Sequence, residues 1–171
     1  MNEYEIRRVE LKGLEALDGT FRSGFERTHA DNLQDQQAGI KSFFVAWAQE
    51  VPVGHVLVNW HDPRQAEPFA AFPDCPEINR LAVIEAFQRR GIATNLIAAC
   101  EAEAADKGLL QIGLGTNPVI PEDLNLYRRL GYQDSGVGIF DDVYRVLDEN
   151  GNVITIRDDT RFLVKDIGDT K

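Results

Sequence analysis

Gln88–Ala93 reads Gln-Arg-Arg-Gly-Ile-Ala and lies between a strand-like apolar run and a helix-like one. The first turn of a helix leaves backbone N–H groups without carbonyl partners, and the helix dipole adds partial positive charge there. Such a turn is a ready site for an anion. Gly91 lets a bulky anion approach the backbone, Ala93 keeps the next position small, and Arg89 and Arg90 add charge. An ordinary helix start has the same look, so on these residues alone the two readings compete. Other groups able to do chemistry are few. Tyr127 carries a hydroxyl, but Leu124, Tyr127 and Leu130 can share one helix face, which reads as a core aromatic. Glu77 opens a strand, where a glutamate is more often merely solvated. His29, His55 and His61 form no partner motif with Cys75 or Cys100, and neither cysteine has a metal or redox spacing. A cysteine or histidine nucleophile is therefore discounted. The run Asp148–Asn152 hints at a calcium loop, but its glycine comes one position early and no glutamate closes it, so no metal is expected. Gln88–Ala93 also lacks the three-glycine fingerprint of a dinucleotide module.

The elements that must position these groups belong to a sequence of 171 residues, 43% of them hydrophobic, which suits one domain spanning 1–171 with a sizeable core. The formal net charge is -10, with no basic stripe to neutralise phosphates, so no nucleic-acid partner is expected. A negative field favours cationic small molecules or basic peptides, unless the acidity serves solubility alone. The first residues are charged and lack the apolar run of a signal peptide, and no stretch is long enough to cross a bilayer. A reducing cytoplasm, with no membrane partner, is the expected setting.

Glu3–Leu11 reads as a first strand and Gly13–Gln37 as one or two short helices. Lys41–Gln49 and Val51–Trp60, rich in aromatic and β-branched residues, read as an antiparallel hairpin. His61–Pro76, with prolines at 63, 68, 73 and 76, reads as a loop that either lines a pocket with Phe69 and Phe72 or covers a sheet edge. Glu77–Ile84 reads as a strand with a fault. Ile78 and Leu81 are three apart and cannot share a face unless a β-bulge lies near Asn79 and Arg80; sloppy alternation at a strand end is the rival account. A helix follows over Arg90–Lys107, with Ile92, Leu96, Ala99, Cys100 and Ala104 as its apolar stripe and Gly108 as its cap. Leu109–Thr116 reads as a buried strand. Pro121 opens a second helix that Gly131 closes. Strands are expected within Tyr132–Leu147, across the Asn150-Gly151 turn at Val153–Ile156, and at Arg161–Ile167. The order of elements implies a mixed α/β sheet.

Taken together, Glu77–Tyr132 resembles the core of the GNAT superfamily of acetyl-CoA-dependent N-acetyltransferases. Arg80–Val83 is similar to the family's central strand, Gln88–Ala93 to its pyrophosphate motif, Gly113–Pro118 to its next strand ending at an asparagine, and Leu126–Tyr132 to its closing helix. Ten residues separate Asn117 from Tyr127, a spacing common in the family. The resemblance implies an α/β (α+β) GNAT fold: a mixed, mostly antiparallel central sheet, splayed between two parallel strands and flanked by helices. It implies acetyl-CoA as the acetyl donor, with its pantetheine arm in the splay. Leu81, Ala82 and Val83 would bond that arm through their backbone, one of their N–H groups polarising the thioester carbonyl. Gln88, Arg89, Arg90, Gly91, Ile92, Ala93 and Thr94 would hold the pyrophosphate, and Asn117 would bond the arm. Tyr127 would be the general acid that protonates the leaving thiolate, and Glu77 the base. The implied acceptor is an amine on a small molecule or a protein, attacking directly in a ternary complex, and a homodimer is left open. A CoA-binding regulatory or sensory domain without catalysis is the alternative, against which the Tyr127 hydroxyl argues.

Overall fold

A computed structural model describes residues 3–61 and 63–168. In sequence order the elements are β1 (Glu5–Arg8), α1 (Leu14–Thr20), α2 (His29–Gln37), β2 (Lys41–Ala48), β3 (Val51–Asn59), α3 (Ala66–Ala71), β4 (Glu77–Val83), α4 (Ile92–Asp106), β5 (Gln111–Thr116), α5 (Pro121–Arg129), β6 (Gln133–Leu147) and β7 (Val153–Asp166). The strands form one seven-stranded sheet in the order β1-β2-β3-β4-β5-β7-β6. Every neighbouring pair is antiparallel except β4 and β5. Helices cover both faces. Phe44, Val56, Val58, Ile78 and Leu114 pack under Ile92, Leu96 and Cys100 of α4. On the other face Phe43, Val45, Trp47 and Leu57 pack with Leu17, Phe21 and Leu33. Burial on two faces is why β2 reads as an unbroken apolar run rather than an alternating one.

The fault in β4 is a β-bulge. Leu57 pairs with Asn79 and His55 with Ala82, so Arg80 and Leu81 together stand opposite Val56. Arg80 takes φ 52° to make the extra step. Ile78 and Leu81 then reach the same core, Ile78 inside it and Leu81 at its edge. Beyond this point β4 leaves its parallel neighbour. The β4–β5 ladder holds only Glu77↔Gly113 and Ile78↔Leu114, while β5 continues to Thr116 paired with β7 alone. The sheet is splayed here, as the expected fold requires.

Other expectations shift in detail. The helix expected from Arg90 begins at Ile92, because Arg89 and Gly91 both take left-handed backbone, φ 61° and 81°. Ile97 joins its buried stripe. The 61–76 loop, whose residue 62 lies outside the described residues, contains the short helix α3. The two strands expected after residue 152 are one, β7. Its middle, Arg157–Thr160, pairs with Phe140–Val143 in a two-stranded ribbon whose inward face carries Asp142, Asp158 and Thr160, so no hydrophobic alternation marks the strand there. The turn at Asn150-Gly151 is a three-residue loop: Asp148 N–H donates to Asn152 C=O at 2.8 Å, and the Asp148 carboxylate accepts from the N–H groups of Asn150 and Asn152.

Candidate active site

Three cavities meet along β4. The first lies at the start of α4. Gly91 is the N-cap and offers no side chain to close the helix end, so the N–H groups of Ile92, Ala93 and Thr94 have no acceptor among the described residues. Gln88 Nε2 donates to Val83 C=O at 3.0 Å and ties the turn to the end of β4. Together with Arg89, Glu122, Asp123 and Arg129, the turn borders a cleft of about 600 Å³. Arg90 needs correction. Its guanidinium is committed away from the cleft, to Glu3 at 2.8 Å and Ala86 C=O at 3.0 Å, and lies over the Phe87 ring. Of the two arginines only Arg89 borders the cleft. Arg129, which reads in the sequence only as a charge suited to a helix C-terminus, borders it as well.

The second cavity, about 230 Å³, is the gap between β4 and β5, bordered by Asn79, Arg80, Leu81, Asn117, Asp123 and Tyr127 among others. Ile84 N–H donates to Val53 C=O at 3.0 Å. The alternation of an antiparallel ladder then turns the N–H of Val83 and, one pleat back, of Leu81 away from β3 and toward the gap. Ala82, between them, faces β3 with its backbone and packs at the edge of the other core. Asn117 Oδ1 accepts from Val119 N–H at 3.0 Å, which fixes the side chain and leaves Nδ2 free to donate. Tyr127 does both things its position allows. Its ring packs edge-on to Tyr132, centroids 6.2 Å apart, beside Leu124 and Leu130. Its hydroxyl has no hydrogen-bond partner among the described residues. Burial, with the nearby Asp123 carboxylate, pushes the phenol up to about 12, so it is protonated at neutral pH.

The third cavity, about 610 Å³, lies between the α1–α2 connection, β4 and the outer part of β6, and it is rich in arginine: Arg22, Arg64, Arg80 and Arg145 all border it. Glu77 stands behind this wall, 3% exposed, and borders none of the three cavities. Its Oε2 accepts from Arg64 N–H at 2.6 Å and its Oε1 from Arg64 Nε at 3.2 Å. Burial pushes its carboxyl up, against the pull of Arg64. The expectation of Glu77 as base is corrected to this extent: both oxygens are taken and the side chain is not presented to the gap. Arg64 in turn reaches Asp142 at 3.0 Å, and Gln65 Nε2 donates to the same carboxylate at 2.6 Å. Glu77 thereby anchors the 61–76 loop against β6.

The cavities adjoin. Asp123 borders both the first and the second, and Asn79 and Arg80 border both the second and the third. Sequence reading missed Asn79, Arg80 and the other arginines, which stand up to 123 positions apart and converge only in the fold. Cys75 and Cys100 lie elsewhere, their thiols pushed up by burial, Cys75 to about 12. Among the described residues no group of three or more His, Cys, Asp or Glu is set to hold a metal.

Comparison with known proteins agrees with this geometry. The family model described as the acetyltransferase (GNAT) family matches residues 11–132. No curated protein sequence matches significantly. Among solved structures, Ard1 from Thermoplasma volcanium superposes with a TM-score of 0.69 at 16% identity, over 98% of this protein and 100% of that one. NAA60 from Arabidopsis thaliana, in complex with a bisubstrate analogue, gives a TM-score of 0.69 at 18% identity, over 95% of this protein and 97% of that one. A GNAT family acetyltransferase from Elizabethkingia anophelis with acetyl-CoA bound gives 0.57 at 19% identity, over 97% and 99%. At these identities the likeness is one of fold.

Proposed function

Since the protein belongs to the GNAT acetyltransferase family, we propose that it is an N-acetyltransferase that moves the acetyl group of acetyl-CoA to an amine. The observation that carries this reading is the row of adjoining cavities: a helix-start anion site, a splayed gap with a free phenol, and a pocket suited to an acceptor. The residues present fit the donor. Free N–H groups at Ile92–Thr94, with Arg89 and Arg129 nearby, suit a pyrophosphate. The unpaired edge at Leu81 and Val83 suits an extended amide-bearing arm that adds to β4 as a strand. Asn117 Nδ2 is a donor for a carbonyl of that arm. When bound, acetyl-CoA supplies an activated thioester carbonyl.

In this reading the Leu81 or Val83 N–H donates to the carbonyl oxygen as charge builds there. The amine nitrogen forms a bond to the carbonyl carbon and gives up its proton to solvent; Tyr127 gives its proton to the sulfur as the carbon–sulfur bond breaks, and regains one from solvent. Glu77 acts as a positioning residue, holding the acceptor pocket through Arg64, rather than as the base. The whole of 1–171 serves as one N-acetyltransferase domain. A cytoplasmic setting belongs to the same reading, supported by two free thiols.

Tyr127→Phe tests it. General acids are worth about 10²–10⁴ in rate, and a phenol this weak acting on a thiolate belongs at the low end. The variant should lose roughly 10²-fold in kcat, measured by thiol release, with little change in acetyl-CoA Kd or Tm. Unchanged kcat would make Tyr127 a packing residue only. Lost acetyl-CoA affinity with intact saturating turnover would make it a cofactor ligand.

A further inference from the structure

The acidity of the protein points to a cationic acceptor, and the acceptor pocket points the other way. Each carboxylate close to that pocket already has a partner. Asp142 holds Arg64 and Gln65, Glu77 holds Arg64, Glu26 holds Arg145 at 2.7 Å, and Asp158 accepts from the Tyr144 hydroxyl at 2.7 Å. The Asp148 carboxylate is taken by its own loop. Of the four guanidiniums bordering the pocket, two form no ion pair with a carboxylate among the described residues. Arg22 reaches only the backbone C=O of Asp148, at 3.3 Å, and the Arg80 side group makes no hydrogen bond or ion pair with any of them.

Arg80 is also placed at a cost. A residue with φ near +52° in a bulge is usually glycine, since a Cβ there crowds the backbone by about 1–2 kcal/mol. The conformation sends the guanidinium against the backbone of Gly24, where an added Cβ would lie 2.9 Å from both terminal nitrogens. It stands where the pocket joins the gap containing Tyr127. Burial and the charge of Arg64 press against the charged form of Arg80 more strongly than Glu26, which is paired with Arg145, favours it, so a bound anion is the partner that would relieve it. A planar guanidinium fork matches a carboxylate or a phosphoryl group in two parallel hydrogen bonds.

We infer that the acceptor is a small amine that also carries a carboxylate or phosphoryl group, which Arg80, assisted by Arg22, holds while the amino group reaches the gap. A pocket of about 610 Å³ is of small-molecule size. The inference rests on the reading of this protein as an N-acetyltransferase and adds the acceptor's charge to it. A diamine or an aminoglycoside-like cation would instead meet two guanidiniums that form no ion pair.

The test is thiol release at saturating acetyl-CoA with matched amines: β-alanine against n-propylamine and a diaminopropane, and O-phosphoethanolamine against ethanolamine. The carboxylate or the phosphoryl amine should exceed its uncharged match in kcat/KM by about tenfold or more, the scale of one charge-assisted hydrogen bond. Which of the two pairs shows the larger gain identifies the anion. Arg80→Gln should abolish the preference, and Arg80→Lys should restore part of it. Preference for the uncharged or dicationic amine, or a preference that survives in Arg80→Gln, overturns the inference. If acetyl-CoA binds but no amine is acetylated, the transferase reading fails separately. Calorimetry then decides the charge question: β-alanine or O-phosphoethanolamine titrated into CoA-loaded protein should bind, and bind far more weakly in Arg80→Gln. Absence of binding, or binding indifferent to Arg80, overturns it.

Discussion

Arg80 is a residue whose stability and use pull in opposite directions. Asparagine tolerates left-handed backbone far better than arginine, so Arg80→Asn should raise the unfolding free energy by about 0.5–1 kcal/mol while lowering acceptor kcat/KM. Urea unfolding and thiol release check the two signs; a destabilised variant would show that the bulge is not strained. His55 offers a pH-dependent case. It is 8% exposed, edge-on to Phe21 and Phe43, and burial, with the charges of His29 and Arg80, pushes its imidazole down to about 4. The unfolded protein takes up that proton near pH 6.5, so between about 4 and 6.5 it binds more protons than the folded form. Stability is then fully present above 6.5 and is lost as pH falls toward 4. Wild-type protein should lose about 2 kcal/mol more than His55→Gln between pH 7 and pH 5, by urea unfolding at each pH. An equal loss in both would place the acid sensitivity elsewhere. At this scale Gly91 and Tyr127 announced themselves as candidates by their sequence neighbours. Arg80 did not, because an arginine near a strand end looks solvated until the α1–α2 connection and β6 are folded against it.

Among elements, β4 carries the most. Its bulge turns a regular strand into one whose far half has lost a neighbour, and that half supplies the N–H groups of the gap. The missed alternation of Ile78 and Leu81 marked it in the sequence. The short α3 and the continuity of β7 were not marked: α3 has only six residues, and the inward face in the middle of β7 carries Asp158 and Thr160 rather than apolar residues. At the other end of β4, Glu77 ties the strand to Arg64. Replacing one partner of a buried charged pair leaves the other uncompensated, so Glu77→Gln should destabilise by about 2–3 kcal/mol. As a positioning residue it should raise the acceptor KM while leaving kcat and the acid limb of its pH profile in place. A collapse of kcat together with loss of that acid limb would instead make Glu77 the base. This outcome would reverse the reading of the site drawn from its burial.

At the scale of the whole molecule, net charge misleads. The protein has a formal charge of -10, yet the pocket between the α1–α2 connection, β4 and β6 gathers four arginines, because composition averages over surfaces that never meet. The fold class was legible because strand and helix periods survive such averaging. The sheet itself is two pieces, β1–β4 and β5–β7–β6, whose backbones meet in two residue pairs. A bound donor lying between them would bridge both. At a hundredfold excess over Kd it should stabilise the protein by about 2.7 kcal/mol. Amide exchange should slow most at residues 81–83 and 112–116, with little change in β1 or the outer ribbon; uniform slowing would contradict the two-piece picture. Proteases cut the open form in proportion to its population when closing is fast. An enzyme whose seam is closed by its own acetyl donor therefore survives longest when that donor is abundant, and its turnover in a cell becomes a readout of acetyl supply.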